Sequence, residues 1–277
     1  MFPRFLICAA ATLLLAVAAS AQTADDLIAK NIQAHGGMDK IKAVNTMRFT
    51  GRVTVGPGIE APIVAEFKRP NNLRFEISVQ GLTAVQAYNG KTGWEINPFN
   101  GKKDPEAMGE DDLKDVMEQA DFDGPLVDYK QKGNKIEYAG KEPVEGTDAY
   151  KLKVTLKSGD VRYLYLDTDS YLEIREVSKR TIRGTEREIE SNLGDYKPEG
   201  GVMMAHSIEE GAKGSSEKQK ITIEKVEINP PIEDTRFAMP AGEKKAGAPN
   251  QGEKAPEDKK PEVTKPAEPA KPPAAKA

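Results

Sequence analysis

From Leu73 onward the chain alternates strictly. Leu73, Phe75, Ile77 and Val79 are apolar, and Arg74, Glu76, Ser78 and Gln80 between them are polar. Successive side chains of a strand point to opposite faces, so this run belongs in a sheet with one apolar and one wet face. Turn residues bound it: Pro70-Asn71-Asn72 before, Gly81 after, and Asn89-Gly90 one run later. Residues 60–101 therefore read as several β-strands in succession, joined by hairpins.

The run before this one departs from the pattern once. Ala61, Ile63, Ala65 and Phe67 share a face, and the next residue on that face is Arg69. A guanidinium on an apolar face costs several kcal/mol, as an order of magnitude, unless its donors find partners. Arg69 therefore marks either a frayed strand end or a cation held inside a cavity for a purpose.

Strands also begin before this stretch and resume after it. In 46–55, Met47, Phe49, Val53 and Val55 oppose Thr46, Arg48, Thr50, Arg52 and Thr54. Beyond residue 135, Tyr150, Leu152, Val154 and Leu156 alternate with Lys151, Lys153, Thr155 and Lys157, and further strands are expected at 161–167, 171–179, 185–193, 202–210 and 218–228. In the last of these, Ile221 and Ile223 have one parity and Val226 and Ile228 the other, so a bulge is expected near Glu224-Lys225.

Two segments carry the helical period instead. Over 24–35, Leu27, Ile28 and Ile32 form a stripe, with Thr23 as N-cap, Asp25 and Asp26 in the first turn and Gly36-Gly37 as the stop. His35 reads as a helix-end cation, and a short helical turn follows over 38–44. Over 109–120, Leu113, Val116, Met117 and Ala120 fall at i, i+3, i+4 and i+7 beneath an acidic outer face. A helix interrupting a series of hairpins must lie across something: the mouth of a curved sheet, or a small core that it plugs.

The ends differ in kind from the middle. Residues 1–21 read as a cleavable secretory signal: Arg4, an apolar run over 5–18, then Ala19-Ser20-Ala21. The single cysteine, Cys8, lies inside the apolar run, so the mature chain is expected to be free of thiols and to fold beyond the inner membrane without disulfides. No later stretch is long and apolar enough to span a bilayer as a helix. From Ala241 only Ala, Pro, Lys, Glu and similar residues remain, with Val263 the one branched apolar side chain, so 241–277 is expected to be a disordered tail. Residues 22–240 then form a single mainly β domain.

Several functions find no residues here. A net charge of −4 with no basic-aromatic cluster gives nucleic acid nothing to bind. His35 and His206 belong to no motif, and there is no nucleophile elbow, phosphate-cradling loop or zinc spacing, so no enzyme and no cofactor is expected. Asp121, Asp123 and Asp128 have the look of calcium ligands, but their spacing fits no EF-hand loop, and no metal is expected.

One further pattern carries more. Lys68-Arg69-Pro70-Asn71, then Asn89-Gly90-Lys91-Thr92-Gly93-Trp94 and Asn97-Pro98-Phe99, and a Phe237-Ala238-Met239-Pro240 close, resemble the LolA/LolB family of periplasmic lipoprotein-sorting carriers. The specific motifs cover only 68–99. The resemblance implies an unclosed antiparallel β-barrel of about eleven strands, whose apolar hollow holds acyl chains under a helical lid. It implies that Arg69 lies inside and latches the lid, and that Phe49, Ile63, Phe67, Leu73, Phe75, Ile77, Trp94, Leu113, Val116 and Met117 line the hollow. Trp94 sits where the family motif has its tryptophan, although a core role is the default for it. The implied partners are acyl chains of lipoproteins or other lipids, with an inner-membrane releasing complex and an outer-membrane acceptor on either side of a monomeric, periplasmic carrier. The alternative on the same fold is a non-transporting envelope sensor acting through protein contacts.

Overall fold

The computed structural model describes residues 22–56, 58–182 and 185–240. The signal sequence, Cys8 and the tail from Ala241 lie outside the described residues, as do the side chains of 180–182. The alternating runs form one antiparallel sheet of thirteen strands, in the order β6-β5-β4-β3-β2-β1-β13-β12-β11-β10-β9-β8-β7. Every neighbour but one is the next strand in sequence. The exception, β1 (Thr46–Gly56) against β13 (Gln219–Ile228), joins the beginning of the meander to its end.

The two edge strands, β6 (Lys102–Ala107) and β7 (Lys135–Val144), do not pair, so the barrel is open. Sequence reading expected about eleven strands. The clearest omission is β6, KKDPEA, which has no apolar alternation because an edge strand of lysines, acids and proline is one that water can cover and another chain cannot extend. The expected bulge is present: Thr50 faces Lys225 and Gly51 faces Ile223, leaving Glu224 unpaired.

One face of the sheet, here the inner face, carries the helices. Helix α1 (Ala24–Ala34) starts at a Thr23–Asp26 capping box and buries Leu27 and Ile28 against Leu152, Val154, Leu164 and Leu166. A short α2 (Met38–Ala43) leads into β1. Helix α3 (Glu110–Gln119) covers the other half, with Val116 and Ala120 packed on Leu73 and Tyr88, flanked by Phe67, Met108 and Leu113. Contact is tight: a Cβ on Gly93 in β5 (Gly93–Asn97) would meet Met108 Sδ at 2.7 Å and Leu113 Cδ1 at 2.9 Å. A last short helix, α4 (Tyr129–Lys132), precedes β7.

The outer face has a roof of its own. After β13 the chain crosses β1 to β5, with Ile232 and Phe237 fully or almost fully buried beneath it. Polar bonds mark its course: Thr46 Oγ1 donates to Pro230 O, Lys68 Nζ to Ile232 O, and Arg74 to Arg236 O. Glu66 is buried there between two guanidinium groups, Arg48 Nε at 2.9 Å and Arg236 Nε at 2.8 Å.

Candidate functional site

The inner face of β1 to β5 can be read row by row from the strand pairing. One row is Phe49, Ala65, Phe75, Gln86 and Glu95; the next toward the β1–β2 turn is Gly51, Ile63, Ile77 and Ala84. Over these rows lies a cavity of about 530 Å³, walled mainly by Phe75, Ile77, Val79 and Ala84, with Gln86, Glu95 and Asn97 toward the β6 edge. Val55, Ile59 and Phe99 stand at its rim and are 37%, 51% and 46% exposed. That is a concentration of open apolar surface beside an apolar hollow.

The sequence-predicted residues divide into groups. Phe75 and Ile77 wall the cavity. Ile63 and Phe49 lie on the same face in the adjoining cluster with Val53 and Ala61. Phe67 and Leu73 are also on the inner face but are packed shut beneath Leu113 and Val116 of α3. Two expectations are corrected. Trp94 points to the outer face, because it pairs with Ala87 and Arg74 stands over its ring at 5.5 Å; it is buried, and its Nε1 donates to Phe237 O at 2.9 Å. Met117 points away from the sheet and is 47% exposed, because the helix is narrow enough that Val116, Ala120 and Leu113 fill the contact stripe.

Arg69 is on the inner side, and its donors are spent on the segment that follows α3. Nη1 and Nη2 grip the two oxygens of Asp123 at 2.6 and 2.7 Å, while Nε donates to Val44 O at 2.7 Å and Nη2 to Ile41 O at 3.0 Å. Planar, two-pronged bonding of this kind is available to arginine and not to lysine. The guanidinium also lies 4.8 Å from the ring centre of Phe122, which packs on Phe67. Burial raises the Asp123 pKa, but Arg69 and then Lys42 outweigh it and hold the carboxyl below its ordinary range. Asp128 takes Lys42 at 2.6 Å and Asp121 takes Lys132, so the three aspartates noted in sequence each hold a cation of the protein.

Further ion pairs tie α3 to the far half of the sheet. Glu118 binds Arg162 of β9 (Val161–Asp167), which also reaches Glu176 at 3.1 Å, and Lys114 binds Asp160. Helix α1 has a separate clamp. His35 Nε2 meets Glu173 Oε2 at 2.6 Å, and its Nδ1 meets Met203 O at 2.7 Å. Both partners are acceptors, so the ring donates from both nitrogens and is a cation. Burial pulls the His35 pKa down, but the Glu173 carboxylate more than offsets this and the net shift is upward.

Sequence reasoning missed the polar end of the cavity. Gln86 and Glu95 follow from Phe75 once parity is carried across the Gly81 and Asn89-Gly90 turns. Val55 follows from the alternation of 46–55, but Ile59 and Phe99, at a hairpin tip and a turn, had no periodicity to reveal them.

The geometry defines a class: an open antiparallel half-barrel with an apolar inner hollow, partly roofed by a helix. Solved structures of that class match this chain. A LolA superfamily protein from Nitrosomonas europaea superposes with a TM-score of 0.54 at 13% identity, covering 79% of this chain and 98% of its own. A DUF1329 family protein from Desulfovibrio piger superposes with a TM-score of 0.54 at 12% identity, covering 77% and 96%. The chain therefore has the LolA-superfamily fold. No protein-family profile and no curated protein matches it in sequence.

Proposed function

We propose that this protein is an extracytoplasmic binding and transfer protein. It takes acyl chains of a lipoprotein or another lipid into the inner-face cavity, with α3 as the lid and Arg69 as its latch. The observation that carries this reading is the apolar cavity of about 530 Å³, set beside the apolar surface that α3 covers. Its size lies within the usual range of small-ligand pockets.

Each methylene taken out of water gains about 0.8 kcal/mol, so a sixteen-carbon chain gains on the order of 12 kcal/mol before costs. A membrane offers the same gain. A carrier that releases its cargo must therefore bind less tightly than that sum, and closing the lid onto Phe67 and Leu73 provides an opposing term. With Arg69 bonded to Asp123, α3 occupies the surface that the distal part of an acyl chain would use. Opening breaks those bonds and lengthens the hollow, while closing helps to expel the chain.

The test is native mass spectrometry, with lipid extraction, on protein purified from a bacterial periplasm. Co-purifying acylated species, redistributed in Arg69 variants, are the expected result. An empty protein that also ignores added acyl probes would overturn the carrier reading and leave the sensor as the better account.

A further inference from the structure

The cavity is not uniformly apolar: apart from Gln80 at the turn after Val79, its polar groups lie toward the β6 edge. Along the row Phe49, Ala65, Phe75, Gln86, Glu95, Glu106, the inner face changes from aromatic to amide to carboxylate as it approaches the β6 edge. Glu95 and Glu106 are directly opposite on neighbouring strands, an arrangement that costs stability unless a cation lies between. Lys102 supplies one, 3.6 Å from Glu95 and 3.0 Å from Glu106. The β5–β6 margin therefore holds two acids and one lysine, a surplus of negative charge. Glu95 is the sheltered member, with its side chain 16% exposed against 49% for Glu106. Beside it, Asn97 Oδ1 is enclosed and has no hydrogen-bond partner among the described residues.

A buried acceptor without a partner, next to an excess of carboxylate, favours a ligand group that donates hydrogen bonds and carries no negative charge. From this we infer that the cavity selects amphiphiles with a non-anionic, hydrogen-bond-donating head, such as a glycerol hydroxyl or an ammonium, and discriminates against free carboxylates. The inference presupposes that the cavity is the acyl site, and it adds orientation. The tail runs toward Phe75, Ile77 and Phe49, and the head rests against Asn97, Gln86 and Glu95. Esterified or amide-linked acyl chains fit this arrangement; free fatty acids place one carboxylate against another.

The experiment is displacement of a neutral fluorescent probe, N-phenyl-1-naphthylamine, from the purified protein at pH 8 and low salt. The competitors are three twelve-carbon amphiphiles that differ only in the head: 1-monolauroylglycerol, dodecylamine and laurate. The expected result is displacement by the first two at concentrations about tenfold or more below laurate, the order expected for one like-charge contact in a partly screened site. Glu95→Gln and the Glu95→Gln/Glu106→Gln pair should narrow that gap chiefly by improving laurate. Thermal unfolding of each variant at the same pH checks that it is folded.

Equal displacement by all three competitors would overturn the head-group inference while leaving the cavity as an acyl site. Probe binding that none of the three reverses would remove the acyl site itself, and the inference with it. A gap that persists unchanged in the folded double variant would also overturn the assignment to these carboxylates.

Discussion

Replacing Arg69 with leucine tests the latch most directly. The substitution removes two bonds to Asp123 and two to the carbonyls of Ile41 and Val44. Removing one partner of a buried ion pair costs about 3–5 kcal/mol, because the other charge stays behind. The lower end applies here: Arg69 is 23% exposed, and Lys42 remains 3.0 Å from the Asp123 carboxylate. Leucine also adds apolar contact next to Phe122 and Phe67, worth roughly 1 kcal/mol. The net is about 2–3 kcal/mol against the closed lid, which raises the open fraction roughly 30- to 150-fold. Hydrogen exchange should register this over 110–128, including the amides of Ala120 and Gly124 that bond to Val116 and Asp121. A ligand that needs the open state binds in proportion to that fraction. Acyl-probe affinity should therefore rise by at least tenfold, and release to acceptor liposomes should slow. Arg69→Lys, which keeps the charge but not the two-pronged geometry, should fall between. Unchanged exchange over 110–128 together with unchanged release in the leucine variant would refute the latch.

Four other outcomes follow from the same contacts. Trp94→Phe loses the bond to Phe237 O and some packing on the outer face; denaturant titration should show a loss of about 2 kcal/mol, with probe affinity within twofold of the parent. Gly93→Ala presses on Met108 and Leu113, both flexible side-chain ends, so it should cost only about 1 kcal/mol and speed hydrogen exchange in α3 selectively. The raised pKa of His35 contributes stability that is complete below its ordinary value of 6.5 and is lost as pH rises through the folded value. A parent Tm that falls as pH rises above 6.5, and a His35→Gln Tm that does not, is the expected pair of curves. Glu173, held low chiefly by His35 against the effect of its burial, contributes stability above its ordinary 4.5 that is lost as pH falls through the lowered folded value; Glu173→Gln should flatten the acid limb.

What could be read in the sequence was whatever repeats with a period. The alternation of 73–79 fixed both the strand and the face on which Phe75 and Ile77 lie, and the parity of the preceding run put Arg69 on that face. The slip at Glu224 was legible for the same reason, since a bulge is a change of phase. Trp94 shows where that reasoning stops. Its strand is only five residues long and lies between two turns, so its face is set by pairing with Ala87, a fact about β4 (Leu82–Asn89) and not about the strand itself. Met117 failed for a related reason. A stripe at i, i+3, i+4 and i+7 names four residues, but a helix lying over a sheet contacts it along a line, and three side chains fill that line here.

Parity also cannot say whether an apolar face is open or filled. Phe67 and Phe75 belong to the same alternating surface, yet α3 covers the first, while the second faces a cavity. What separates them is the position of one helix, and that position rests on pairs distant in sequence: Arg69 with Asp123, Arg162 with Glu118, Asp160 with Lys114. These are polar contacts, weaker and more easily exchanged than the packing of α1 on β8 (Thr147–Thr155) and β9, where the buried cluster is contiguous. A helix held partly by ion pairs and partly by a small apolar cluster can open without unfolding the sheet, because the cost of opening is local and water can repay the charges but not the phenylalanines. An acyl chain can cover the phenylalanines. On the carrier reading proposed above, the division of labour between Arg69 and Phe67 would make the hollow reversible: the charge would set how often the lid opens, and the apolar floor what is worth binding when it does.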